Sequence, residues 1–179
     1  MKAPYELVLD AESGTGLLSI TSEGTGIKDS LRAQWAEREA AKGYIMSDEL
    51  GGFCRFDITT ILGDMMNGND FFDFIKATVN KPVPLPFFRV RDCLEEYFSA
   101  GDFSVQRISQ LMGRYRAPFG ETGKTGKTFY HCLNLQQIAV SILHFLILEG
   151  YKFMYCRHCG RLYATKTKKI IYCNRRSTF

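Results

Sequence analysis

The sequence predicts an α+β protein, mainly α. An N-terminal β-hairpin opens a helical body over residues 1–149, and a short β-hairpin module, incomplete, closes the chain over residues 150–179. Two patterns and one fact of composition lead there. Apolar side chains recur every three or four residues through most of the body, the period of a helix with one buried face. Alternation with period two is confined to the two ends. Hydrophobic residues make up 45% of the 179 and charged residues 23%, an ordinary globular balance in a chain long enough for one sizeable core.

The elements follow in order. "YELVL" (5–9) and "GLLSITS" (Gly16–Ser22) read as strands, and the turn-like "DAESGT" between them makes a hairpin. Ile27–Lys42 reads as a helix with Leu31 and Trp35 on one face, stopped by Gly43. A loop through Gly51 and Gly52 follows. Asp57 offers a cap to a short helix carrying Ile58, Ile61, Leu62 and Met65, and Asn69 caps a Phe-rich helix ending near Val79. "NKPVPLP" (Asn80–Pro86) is extended, because proline disfavours helix in the residue before it. Phe87, Val90, Leu94, Tyr97 and Phe98 then mark one helix, and Val105, Ile108, Leu111 and Met112 another that gives way near Tyr115. Asn134 caps the longest apolar helix, Leu135–Glu149, and Gly150 ends it.

Several function classes drop out. The N-terminus "MKAPYELVLD" lacks the apolar stretch and cleavage site of a secretory signal, and the longest apolar run, Ile138–Leu148, is too short to span a bilayer. The expectation is a cytoplasmic protein without a membrane partner. "GETGKTGKT" (Gly120–Thr128) imitates a phosphate-binding loop, but Glu121 or Pro118 stands where the first glycine belongs. It reads as a mobile Gly/Thr/Lys surface loop. No HExxH or G-x-S-x-G occurs, and His131, His144 and His158 are not spaced as a ligand group. His144 reads as a satisfied core residue, and the expectation is a protein with no catalytic residues, not an enzyme.

The cysteines carry the chemistry. Six in a cytoplasmic chain point to reduced thiols or metal ligands rather than disulfides. Cys54, Cys93 and Cys132 are scattered, and the first two read as small core residues. Cys156, Cys159 and Cys173 cluster in "YCRHCGRLYATKTKKIIYCNRRSTF". C-x-x-C aims two sulfurs at one ion from a single tight turn, and Gly160 supplies the residue that tolerates positive φ there. Strand-like residues flank the turn, so a zinc knuckle on a hairpin results, with "TKTKK" returning the chain to Cys173. A redox pair, an iron–sulfur ligand set and unligated thiols are the competing readings. His158, Cys132, Cys54 and Cys93 are the remaining candidates for a fourth ligand, and none is convincing.

The stretch Leu148–Arg175 resembles the tail of an uncharacterised bacterial family, a domain of unknown function common in Firmicutes and their mobile elements. There a buried helix runs into a C-x-x-C-G knuckle, followed by an aromatic, a Y-C-[DN]-R element and one more cysteine. A more distant similarity is to zinc fingers of the CGNR type, which are thought to bind DNA. The resemblance implies Cys156, Cys159 and Cys173 as zinc ligands, Tyr163 as the aromatic after the knuckle and Asn174–Arg175 as the dipeptide after the third ligand. Here the chain stops six residues after Cys173 with no further cysteine. A truncated module lacking its last ligand is the simplest expectation; a water, a ligand from a second chain or a site that no longer binds are the alternatives.

The charge is polarised. Of 23 basic residues eight lie between Gly150 and Phe179, and none of the 19 acidic residues does. A basic strip suits a phosphate backbone, which makes nucleic acid a candidate partner of Arg157, Arg161, Lys166, Lys168, Lys169, Arg175 and Arg176. Tyr155, Tyr163 and Tyr172 are candidates for stacking on bases. The same cations would also offset the negative charge of a zinc–thiolate site. The favoured reading is a non-catalytic zinc-finger-like protein, nucleic-acid-binding or regulatory. The alternative is a scaffold whose zinc is purely structural and whose body, at Asn69–Asn80, meets a protein partner.

Overall fold

In strand β1 (Tyr5–Asp10) every second side chain turns inward: Tyr5, Leu7 and Leu9 are buried, while Glu6, Val8 and Asp10 stay half-exposed. That alternation needs a partner on one face only, as in an antiparallel sheet with a single packed side. The Asp10 carboxylate accepts from the amides of Glu12 and Ser13 at 3.1 and 3.5 Å, and Gly14 takes φ +69°, so the chain reverses into β2 (Thr15–Ile20). Gly16 lies under the Phe56 ring and leaves no room for a Cβ.

The computed structural model describes residues 5–20, 44–45, 52–66, 87–167, 169–170 and 172–173. The expected helices at Ile27–Lys42 and after Asn69, and the extended Asn80–Pro86, lie outside them. Further strands are β3 (Tyr44–Ile45), β4 (Gly52–Asp57), β5 (Glu121–Thr122) and β6 (Lys127–Cys132). Together they form one antiparallel sheet in the order β3-β4-β2-β1-β6-β5. Two further strands, β7 (Lys152–Tyr155) and β8 (Leu162–Thr165), pair as a separate hairpin.

Among the described residues the helices are α1 (Ile61–Met66), α2 (Phe87–Ser99), α3 (Val105–Tyr115) and α4 (Leu135–Leu148). In α2, among the described side chains, Val90, Cys93, Leu94, Tyr97 and Phe98 are buried, one stripe at helical spacing. The Ser104 hydroxyl caps α3, and the Asn134 side chain caps α4 by accepting from the Gln137 amide at 2.9 Å. Gly150, at φ +82°, ends α4: its amide reaches the Ile147 carbonyl and that of Tyr151 the Leu146 carbonyl. Helix α4 packs on β1 and β6 and buries ten residues around most of its circumference.

Two expectations need correction. The protein is α+β, but it is not mainly α: the N-terminal hairpin is the middle of a six-stranded sheet, not an appendage to a helical body. Register explains the oversight, since β1 pairs with β6 from Tyr5↔Cys132 to Asp10↔Lys127, across most of the chain. Likewise β4 begins at Gly52, where a loop is expected, because Leu18 and Cys54 align only once β2 pairs with β4; Gly51 lies outside the described residues. The Gly120–Thr128 run is the end of the β5–β6 hairpin, with the Gly123 amide bonded to the Lys127 carbonyl at 2.9 Å. A phosphate loop would need a helix directly after it; here β6 follows. Among the described residues no helix is long and apolar enough to cross a membrane.

Candidate metal centre

The hairpin β7–β8 builds the site from its turn. Tyr155 pairs with Leu162, and beyond that pair the Cys156 amide bonds the Arg161 carbonyl at 2.9 Å. The Gly160 amide returns to the Cys156 carbonyl at 2.8 Å, a closure that requires Gly160 to adopt φ +71°. Cys156 and Cys159 thereby leave one turn on the same side.

Cys173 arrives by a separate route. Downstream of β8 the Thr165 hydroxyl accepts from the Thr167 amide at 3.2 Å, and the Thr167 hydroxyl accepts from the Lys169 amide at 3.2 Å. These local bonds curl the chain back. The Tyr163 hydroxyl then donates to the Ile170 carbonyl and pins the returning segment over β8. The Cys173 amide donates to the Cys156 sulfur at 3.4 Å, and the Cys159 and Cys173 sulfurs stand 3.5 Å apart. All three sulfurs lie within 4.8 Å of one another. Sulfurs about 2.3 Å from a tetrahedral zinc sit about 3.8 Å apart, so the spacing fits such an ion.

Electrostatics favour a ligand. Burial pushes the Cys156 thiol up, but the amides of Cys159, Cys173 and His158 and the Cys173 side chain outweigh it and bring the thiol down to about 6. A thiolate present at neutral pH binds a cation without first losing a proton. Cys156 is 4% exposed, Cys173 half-buried and Cys159 exposed, so the centre opens to solvent on the knuckle side.

Comparison with protein-family models, curated proteins and solved structures finds no match to this chain.

The other sequence candidates fall as follows. Among the described residues the group holds three ligands only, and His158, though inside the knuckle, is outside it. Cys93 and Cys132 are buried in the body, Cys132 within 3.9 Å of the Ser141 hydroxyl. The side chain of Cys54 lies outside the described residues. His144 departs from the expected satisfied core residue: it is half-buried on α4, and its Nδ1 has no hydrogen-bond partner among the described residues.

Of the basic candidates, Arg157, Lys166 and Lys169 are exposed. Arg161 reaches Asp64 of α1 at 3.5 Å, and the Lys166 ammonium lies 5.0 Å from the centre of the Tyr151 ring. Lys168, Arg175 and Arg176 lie outside the described residues. Tyr155 and Tyr172 are more than half exposed, whereas Tyr163 is 3% exposed, pairs with Met154 across the hairpin and positions the return of the chain through its bond to Ile170.

The hairpin is also welded to the body. Leu162 and Ala164 belong to the same buried cluster as Leu7, Ile61 and Leu143, and the Ala164 amide bonds the Thr59 carbonyl at 2.7 Å.

Proposed function

We propose that this chain is a non-catalytic, zinc-finger-like protein in which Cys156, Cys159 and Cys173 hold a zinc ion and the basic residues around the knuckle contact nucleic acid. The observation that carries the reading is the convergence of the three sulfurs within 4.8 Å. Zinc suits the thiolate donors, because it accepts them tetrahedrally and without redox chemistry. The exposed Arg157, Lys166 and Lys169 lie in a stretch with no Asp or Glu, and the same stretch carries the exposed rings of Tyr155 and Tyr172. Such a strip suits phosphates and unstacked bases. This is the chemistry expected from the resemblance of Leu148–Arg175 to bacterial zinc-finger-like tails.

Two measurements test it in sequence. Metal analysis of the purified protein is expected to find zinc, and Cys159→Ser to lose it. Retardation of short DNA and RNA is then measured at salt from about 50 to about 300 mM, where log affinity should fall linearly with log salt. Replacing Arg157, Lys166 and Lys169 by Gln should flatten that slope by roughly 3 for B-DNA, about 0.9 for each phosphate no longer neutralised. Zinc without retardation of any nucleic acid at low salt would remove the nucleic-acid half and leave the scaffold reading, in which the ion only holds the hairpin.

A further inference from the structure

The three thiols are not equivalent, and their differences point to a second use of the site. Cys156 is buried beneath the turn, and its sulfur takes the Cys173 amide at 3.4 Å. Cys159, at the tip of the knuckle, is exposed. Its sulfur is 3.5 Å from that of Cys173, close to van der Waals contact, and the two belong to different segments, one held by the hairpin turn and the other by the Tyr163–Ile170 bond. A disulfide needs the sulfurs at about 2.05 Å, so an approach of about 1.5 Å joins them.

We infer that Cys159 and Cys173 form a reversible oxidation site that competes with metal for the same sulfurs. This rests on the zinc reading above for its effect on the metal, though not for the bond itself. The oxidant is a hydroperoxide, hydrogen peroxide being the simplest. The exposed Cys159 thiolate attacks one peroxide oxygen, the O–O bond breaks, and a sulfenic acid and hydroxide result. The Cys173 thiolate then attacks the Cys159 sulfur, the S–O bond breaks, and a second hydroxide leaves. Two thiolates have given up two electrons, the peroxide has taken them, and two protons from solvent convert the hydroxides to water. A zinc ion held at the site would be left with Cys156 alone and would be released as the aqueous ion. A dithiol reductant reverses the bond by thiol–disulfide exchange. The Cys173 sulfur already stands 3.5 Å from that of Cys159, while Cys156 is buried beneath the turn with its sulfur held by the Cys173 amide, so Cys173 is the thiol that attacks and the pair formed is Cys159–Cys173 rather than the neighbouring Cys156–Cys159.

The experiment treats the zinc-loaded protein with one equivalent of hydrogen peroxide, follows released zinc with a chromogenic chelator, and maps disulfides by peptide mass. Near-stoichiometric release with a Cys159–Cys173 peptide, both reversed by dithiothreitol, is the expected result. Cys156→Ser, which removes the buried ligand but not the pair, should form the same disulfide without metal. Retention of zinc, a Cys156–Cys159 bond, or sulfinic acid at Cys159 in place of a disulfide would overturn the inference. If the protein takes up no zinc at the outset, the failure belongs to the metal reading, and the disulfide map of the metal-free protein still upholds or overturns the pairing.

Discussion

Filling the three-cysteine site with zinc should raise the unfolding temperature of the whole protein, not merely order its tail. The physical link is the docking of β8. Leu162, 2% exposed, and Ala164, 4% exposed, share the main core with residues of the sheet and of α1 and α4. The hairpin therefore cannot unfold without exposing that core. A ligand that binds only the native state stabilises it by RT ln(1 + [L]/Kd), about 2.7 kcal/mol at a hundredfold excess over Kd. For a chain of this size each kcal/mol moves the midpoint by about 2–4 °C, so the expected shift is about 5–11 °C. Differential scanning calorimetry of zinc-loaded and chelator-treated protein measures it. Leu162→Ala supplies the control: truncating that buried side chain costs about 2–5 kcal/mol and should lower the main transition of both forms. A zinc effect confined to a small separate transition, or a main transition indifferent to Leu162→Ala, would refute the coupling.

Two further outcomes are expected. Gln137, 4% exposed, donates through Nε2 to the carbonyls of Tyr115 at 3.2 Å and Arg116 at 3.1 Å and accepts from the Leu133 amide at 2.8 Å. It thus ties the end of α3, where Arg116 takes the left-handed φ of 52°, to the start of α4. Gln137→Ala should cost about 1–3 kcal/mol in urea unfolding by stranding those groups, and Gln137→Glu more at neutral pH, because a carboxylate would face two carbonyls. Burial holds the His144 imidazole below its ordinary value, while in the unfolded chain it returns to about 6.5. The unfolded state then binds the proton first, so this contribution is intact above about pH 6.5 and is lost as pH falls from there through the lower folded value. Urea midpoints of wild type and His144→Gln should diverge at high pH and converge as pH drops; parallel curves would contradict the assignment.

Much of the chain's local structure was legible from its residues. The cap at Asn134, the stripe from Val90 to Phe98 and the stop at Gly150 depend on neighbours within one or two turns of helix. The first hairpin and the knuckle turn are local in the same sense, because alternation in β1 and a glycine after C-x-x-C state their own geometry. The strands that the residues conceal are those whose pattern is blurred. In β6, Phe129 and Tyr130 are consecutive aromatics on opposite faces, so the burial alternates although the hydrophobicity does not.

What the residues determined alone was a set of short-range commitments: where helices begin and end, where the chain reverses, and that three thiols of metal-ligand type lie close along the tail. Tertiary structure decided the rest. It placed the hairpin at the centre of a six-stranded sheet by pairing Tyr5 with Cys132, engaged Arg161 with Asp64, buried Tyr163 as a strut, and brought Cys173 to within 3.5 Å of Cys159. Pairing between distant strands depends on which surfaces are left to bury once local elements have formed. No window of sequence contains both partners, so no local rule can report it.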